Sequence, residues 1–404
     1  MISVEEAQAR VLAAFTPLPA EQVSLSEAHG RVLAHDLVSR RTQPPFAVSA
    51  MDGYAVRGAD VVEAGAKLRL VGYAPAGRRH TGTVGPGETV RIFTGAPLPD
   101  GTDTVVIQED TIERAGLVEI GPGCLPGRHV RRQGLDFIAG AVGLHAGTRL
   151  TARHVGLAAA MNHPWLTVHR RPVVAILPTG DEVALPGEPI GPDQIVSSNG
   201  TALGALVAAA GGIPLQLGIA PDDESALLSL ARGAARADLL VTSGGASVGD
   251  HDLVQKALGS GGLAVDFWKI AMRPGKPLMF GRLGDTPVLG LPGNPVSAVV
   301  CSLLFLVPAL ERLQGMSGAG PRVEPARAGT TLPANDRRQD YLRATLGRDP
   351  TGWLTATPVE VQDSSMMSAL AAAGGLIVRP PHAPSVAVGD TLQVIRFEDG
   401  VPAI

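Results

Sequence analysis

The stretch Thr242-Ser243-Gly244-Gly245-Ala246-Ser247-Val248-Gly249-Asp250-His251-Asp252 follows the apolar run Leu239-Leu240-Val241, so it reads as a glycine-rich loop leaving a buried strand. Tandem glycines at Gly244 and Gly245 let backbone come close to a ligand, and successive N–H groups there can cradle an anion. Ser243 and Ser247 belong to the same candidate anion site, and Asp252 supplies a carboxylate suited to a hard cation such as Mg2+. Phosphate chemistry is the first reading.

Three further loops have the same character: Pro178-Thr179-Gly180-Asp181-Glu182, Pro221-Asp222-Asp223 and Leu291-Pro292-Gly293-Asn294-Pro295. Turns are routinely built from Gly, Pro and Asp, so one such loop is weak evidence. Four of them leaving strands at one edge of an α/β sheet is a stronger pattern, because ligands gather at the carboxyl ends of such strands. Together they offer Glu182, Asp222 and Asp252 as metal-binding carboxylates. A cationic segment, Trp268-Lys269-Ile270-Ala271-Met272-Arg273-Pro274-Gly275-Lys276-Pro277, places Lys269, Arg273 and Lys276 on an irregular loop suited to an oxyanion, although a solvated basic turn would look the same. Two turns upstream also carry chemistry-bearing residues: Asp52 in Ser49-Ala50-Met51-Asp52-Gly53-Tyr54-Ala55, and Thr94 in Phe93-Thr94-Gly95-Ala96-Pro97. Arg128, Arg131 and Arg132 with Asp136 form a charged patch readable as a surface ion-pair network.

Other chemistries find little support. Gly275-Lys276-Pro277 lacks the upstream glycine and the hydroxyl of a phosphate-binding P-loop, and no H-E-x-x-H occurs. The ten histidines are scattered at no metal-ligand spacing. Gly245-Ala246-Ser247-Val248-Gly249 matches a nucleophile-elbow pattern, but His251 is too near in sequence to be its partner and His382 falls in another expected domain. An acyl-hydrolase therefore ranks well below phosphate binding.

These loops need a frame. A chain of 404 residues exceeds one typical core, and two to four domains are expected. A net charge of −4 argues against a nucleic-acid binder, and 3% aromatics leave few stacking platforms. Cys124 and Cys301 have no C-x-x-C partner and fit buried thiols in a reducing, cytoplasmic setting. The acidic start Ile2-Ser3-Val4-Glu5-Glu6 is unlike a signal peptide, and Val296 to Leu310 reads as a core helix, with no membrane role expected.

The fold class expected is α/β plus β, multidomain. Residues 1–39 and 141–169 read as a discontinuous helical domain, with the helix at Thr151 packing on the N-terminal one. Residues 40–140 read as an inserted β-rich module with strands near 68–71, 89–92, 104–107 and 117–120. Residues 170–318 alternate strand and helix, which predicts a doubly wound α/β domain with helices on both faces. Residues 319–404 return to short strands, with Asp336-Arg337-Arg338-Gln339-Asp340 as a polar loop.

Taken in order, these motifs resemble the bacterial MoeA molybdopterin molybdenumtransferases, related to the E domain of gephyrin. The marks are the Ser49–Ala55, Phe93–Pro97 and Pro178–Glu182 segments, the Ser-Gly-Gly loop, Asp266-Phe267-Trp268-Lys269, and Gly290-Leu291-Pro292-Gly293-Asn294-Pro295-Val296-Ser297. The resemblance spans nearly the whole chain. It implies an elongated four-domain homodimer with the active site between the α/β domain of one subunit and the β module of the other. It also implies a reaction, in which molybdate and adenylylated molybdopterin are substrates, molybdenum enters the dithiolene, and AMP leaves with help from Mg2+. A molybdopterin adenylyltransferase is an implied further partner. Carried over by motif position are Asp52, Thr94, Asp136, Glu182, Asp222, Asp252, Lys269, Arg273, Pro292 and Pro295, with Arg343 and Ser364 as further molybdate contacts. Leu135 stands where the family often has a second acid, and Arg273 where it often has lysine. Alternatives are a non-catalytic pterin-binding scaffold and the sister adenylyltransferase; Gly249-Asp250-His251-Asp252 and the extra modules favour the insertion step over the latter.

Overall fold

The computed structural model describes residues 1–244 and 253–397. Its centre is a six-stranded sheet whose order in space is Ile213–Gln216, Val173–Pro178, Leu239–Ser243, Thr286–Leu291, Met279–Leu283, Leu263–Trp268. The first four strands are parallel, Met279–Leu283 runs antiparallel to Thr286–Leu291, and Leu263–Trp268 runs antiparallel to Met279–Leu283. Alternate residues of the parallel strands enter two different cores. Val174, Ile176, Leu239 and Val241 pack into one, and Ala175, Leu177 and Leu240 into the other. Both faces are therefore covered, which is why these strands read as unbroken apolar runs. Helix Asn199–Ala209 covers the first face through Leu203, Leu206 and Val207. Helices Glu224–Ala231 and Leu253–Ser260 cover the second through Leu227, Ala231, Ala257 and Leu258.

From Val173–Pro178 the chain steps outward to Ile213–Gln216, then crosses back to Leu239–Ser243 on the other side. The reversal opens a crevice at the carboxyl ends of Val173–Pro178 and Leu239–Ser243, the usual ligand position in such sheets. A continuous apolar helix then runs from Pro295 to Leu313 through a π-helical turn at Ser302–Leu306. Pro308 has no N–H to offer, and the i−4 carbonyl it would have bonded, Leu304, lies inside that turn. The helix is long and apolar enough to cross a membrane, but 89% of it is buried inside the fold, as a core helix requires.

The N-terminal helix Val4–Ala13 is capped by Ser3, whose Oγ accepts from the Glu6 N–H at 3.0 Å. Its apolar stripe, Val4, Ala7 and Val11 continued by Phe15, joins the core of the α/β domain, with the Phe15 ring 6.2 Å from Phe280. This corrects the expected pairing with the second helix, Ala152–Ala160, which packs instead with Leu33, Leu37, Leu144 and Leu166. Most of residues 14–39 is also not helical. Ala20–Ser24 forms an antiparallel ladder with Trp165–His169, and Leu37–Val38 pairs with Val142–Leu144. These two ladders bring the chain in and out of the β module side by side, so the module is an insertion.

Within it a six-stranded sheet runs Thr104–Ile107, Gly53–Val56, Glu88–Ile92, Lys67–Ala74, Leu117–Ile120, Thr111–Arg114. Gly53 is required by close approach, since a Cβ there would meet Val106 O at 2.0 Å. After residue 322 five strands, Val323–Ala328, Gln339–Arg348, Leu354–Pro358, Gly375–Arg379 and Thr391–Arg396, pair in a ring that closes on itself as a small barrel. The expected polar loop 336–340 is shorter than anticipated, because Gln339 and Asp340 already belong to the longest barrel strand.

Candidate active site

Three loops meet at the crevice. Thr179 N–H donates to Ser243 O at 2.9 Å, and Gly244 N–H to Leu291 O at 3.3 Å, so each loop is fastened to the next. Gly244 has φ +105°, and a Cβ on it would sit 2.4 Å from Thr179 O. Only glycine allows that contact without displacing backbone. Gly180, at φ +136°, leaves room for the Glu182 carboxylate, which would lie 2.5 Å from a Cβ at that position. Asn199, the first residue of its helix, ties the loops from below: its Nδ2 donates to Ser243 Oγ at 2.9 Å and to Gly293 O at 2.7 Å. Ser243 Oγ in turn lies 3.3 Å from Pro292 O.

The cleft above these loops has a volume of about 690 Å3. Glu182, Ser243, Gly244, Pro292 and Pro295, all sequence candidates, line it, and Lys276 enters from the 269–278 loop. Two helix N-termini open into it, at Asn199 and at Pro295, where proline's missing N–H costs nothing. Both present positive dipole ends to a bound anion. Thr179 also lines the cleft, and its buried Oγ1 has no hydrogen-bond partner among the described residues. Lys276 is the one cationic side chain lining the cleft among the described residues. The combination suits a phosphorylated, anionic ligand.

The other candidates fall elsewhere. Asp222 is exposed beside the cleft, its N–H donating to Asp181 Oδ1 at 2.9 Å. Its neighbour Asp223 caps helix Glu224–Ala231, and the Ala226 N–H holds that carboxyl below the usual range. Lys269 lays its ammonium 3.6 Å above the Trp268 ring. Arg273 grips Asp340 of the barrel and faces a separate cavity of about 330 Å3. Arg343 is 1% exposed, its guanidinium donating to Met366 O and Val361 O at 3.1 Å each. Ser364 closes the cleft's rim: its carbonyl accepts from Val296 N–H at 3.0 Å and its Oγ from Asn294 Nδ2 at 2.9 Å. Gly245, Ser247 and Asp252 lie outside the described residues.

In the β module Asp52 and Thr94 do come together. Asp52 Oδ1 accepts from both the N–H and the Oγ1 of Thr94 at 2.8 Å, and the backbone N–H chiefly pulls its carboxyl below the ordinary value. Asp136 is exposed on the same module, its N–H on Gln43 O at 3.0 Å. Sequence reasoning missed Asn199, and it missed the apolar wall of Val183, Ile195 and Val196. The Ser197-Ser198-Asn199 run ahead of a helix was the available signal. Asn199→Ala is expected to lower turnover about tenfold and stability by ~1–3 kcal/mol, because Gly293 O and Ser243 lose their shared donor. Steady-state rates beside chemical denaturation check both.

Three family models cover the chain: the MoeA N-terminal region (domain I and II) over residues 2–162, a probable molybdopterin-binding domain over 175–312, and the MoeA C-terminal region (domain IV) over 325–397. The chain belongs to the MoeA family. This MoeA-family chain is 37% identical to the molybdopterin molybdenumtransferase 2 of Mycobacterium tuberculosis over 407 residues, covering 98% of this chain and 99% of that one. It is 40% identical to the molybdopterin molybdenumtransferase of a Nostoc species over 335 residues, 81% of this chain and 77% of the relative. Among solved structures, a MoeA protein of molybdopterin biosynthesis from Pyrococcus horikoshii superposes with a TM-score of 0.84 at 31% identity, covering 98% and 99% of the two chains.

Proposed function

We propose that this MoeA-family chain is a molybdopterin molybdenumtransferase that takes molybdate and adenylylated molybdopterin, transfers molybdenum to the dithiolene and releases AMP. The observation that carries the reading is the cleft itself. Two helix N-termini, the Lys276 ammonium, an unpartnered Thr179 hydroxyl and one carboxylate converge on a space sized for a nucleotide-bearing ligand. Breaking the bond between the pterin phosphate and AMP leaves negative charge on the departing phosphate. Fixed N–H dipoles and a lysine stabilise that charge without reorganising. Molybdate, a tetrahedral dianion, suits the same donors. The apolar wall of Val183, Ile195 and Val196 offers a flat flank for an aromatic ring.

Mg2+ fits this donor set, since it is commonly held by one or two carboxylates plus substrate phosphates, and Glu182 would be the carboxylate in the cleft. Bound there, it would neutralise phosphate charge. Chelation is expected to cut AMP release by ~100-fold, with activity restored by added Mg2+ and not by Na+ at equal ionic strength. In a homodimer the Asp52–Thr94 pair and Asp136 would approach the cleft of the second copy. A cytoplasmic setting and an adenylyltransferase handing over the pterin accord with this reaction.

The test is AMP release from adenylylated molybdopterin by the purified protein with Mg2+, with and without molybdate. Release that requires molybdate supports the transferase. Tight binding of the pterin without release would replace it with a carrier.

A further inference from the structure

We infer that Arg273 and Asp340 form a latch through which the C-terminal barrel positions Lys276 in the cleft. Arg273 thus acts on the oxyanion through Lys276 and does not touch it. The inference rests on the functional reading above and names how the oxyanion end of that site is held.

Lys276 sits on an irregular loop whose internal ties are Lys269 N–H to Leu278 O at 3.1 Å, Ile270 N–H to Lys276 O at 3.0 Å, Met272 N–H to Ile270 O at 3.0 Å and Leu278 N–H to Gly275 O at 3.2 Å. Ala271 N–H donates to Ile2 O at 2.9 Å, and a second outer anchor comes from the barrel. Met272 and Arg273 pair in parallel with Gln339 and Asp340 of the barrel, and Gln339 N–H donates to Ala271 O at 2.9 Å. Arg273 Nε lies 3.1 Å from both oxygens of Asp340, and its Nη2 donates to Oδ2. Asp336 adds a longer contact to Nη1 at 3.7 Å. Asp340 is only 4% exposed, so the guanidinium neutralises a buried carboxylate, and losing Arg273 would take away its ion-pair partner.

The segment between latch and lysine is stiff. Pro274 and Pro277 fix φ on either side of Gly275-Lys276. Gly275 itself stands at φ +108° with its Cβ space filled by Cys301 Sγ at 2.4 Å. A shift at Arg273 therefore reaches Lys276 with little lost to intervening dihedrals. The planar fork matters as well, because a lysine at residue 273 would meet Asp340 as a point charge and fix no orientation. Arg273 is turned toward the barrel-side cavity it shares with Asn335 and Arg379, while Lys276 lines the cleft.

The experiment is a cycle of Arg273→Met, Arg273→Lys, Lys276→Met and the Arg273→Met/Lys276→Met double variant in the full chain. KM for molybdate, KM for adenylylated molybdopterin and kcat are read for each, with molybdate affinity by calorimetry. Arg273→Met is expected to raise the molybdate KM about tenfold and to leave the pterin KM within about twofold, with Arg273→Lys intermediate. In the Lys276→Met background Arg273→Met should add nothing. Additive effects in the double variant would mean that Arg273 contacts the oxyanion directly, and would overturn the latch. An unchanged molybdate KM with only a lower melting temperature would overturn it too. If Arg273→Met does not fold, Arg273→Lys and Asp340→Asn, each with Lys276→Met, complete the same cycle. A wild-type protein that releases no AMP would refute the transferase reading, while the calorimetric cycle would still decide the latch.

Discussion

Glu182→Ala is expected to lower kcat/KM for molybdate-dependent AMP release by ~100- to 1,000-fold and to leave the unfolding temperature where it was. Glu182 is exposed, and its carboxylate makes no hydrogen bond among the described residues, so the fold does not depend on it. Truncating such a side chain changes stability by no more than ~0.5 kcal/mol. Its position, however, is specified. The backbone carbonyl of Glu182 accepts from Ile195 N–H at 2.7 Å, and Gly180 clears the space its carboxylate occupies. On the proposed function, a carboxylate in this cleft with no hydrogen-bond partner among the described residues is free to hold a cation or a water. Glu182→Gln keeps the size and loses the charge, so it should fall as far as Glu182→Ala. AMP release within threefold of wild type by either variant would remove Glu182 from the reaction.

Glu182 was legible in the sequence for the same reason that Ser243, Pro292 and Pro295 were. Each follows a strand buried on both faces, and such strands announce themselves as apolar runs with a polar loop at the carboxyl end. What could not be read is which side chains are already engaged by residues far along the chain. Lys269, Arg273 and Lys276 look alike as cations on one loop, yet only Lys276 lines the cleft. Arg273 is taken by Asp340, 67 residues on, and Lys269 by the Trp268 ring. Asn199 could not be singled out from the sequence because its two acceptors, Ser243 and Gly293, are 44 and 94 residues away. The N-terminal helix shows the same limit. Its stripe at 4, 7, 11 and 15 proves an apolar face but not what that face packs on. The strand Ala20–Ser24 buries only Val23 and carries no alternation to see.

Arg343→Met is expected to cost ~2–4 kcal/mol and to weaken catalysis through the same loss. Family resemblance implies a molybdate contact for this arginine, whereas its guanidinium is buried and donates to the carbonyls of Val361 and Met366. Hydrogen bonds from a charged donor are worth about 1.5–3 kcal/mol each, and a methionine would leave both carbonyls without them. Part of that cost is recovered, because burial alone pushes the Arg343 pKa down, a sign that the charge is held against a desolvation penalty. The backbone of Arg343 also takes part: its N–H donates to Gln362 Oε1, and Gln362 Nε2 returns a bond to its carbonyl. Arg343 thus holds the 361–366 loop at Val361, Gln362 and Met366. That loop carries Ser364, whose carbonyl and hydroxyl are docked on Val296 and Asn294 at the start of the cleft helix. Loosening it should release the barrel from the cleft rim. Activity and the first thermal transition should then fall together, the transition by about 10 °C or more for a domain of this size. Arg343→Lys, which keeps the charge but not the two-carbonyl reach, should behave almost as Arg343→Met does. A variant that loses molybdate affinity with its melting unchanged would instead place the guanidinium on the oxyanion.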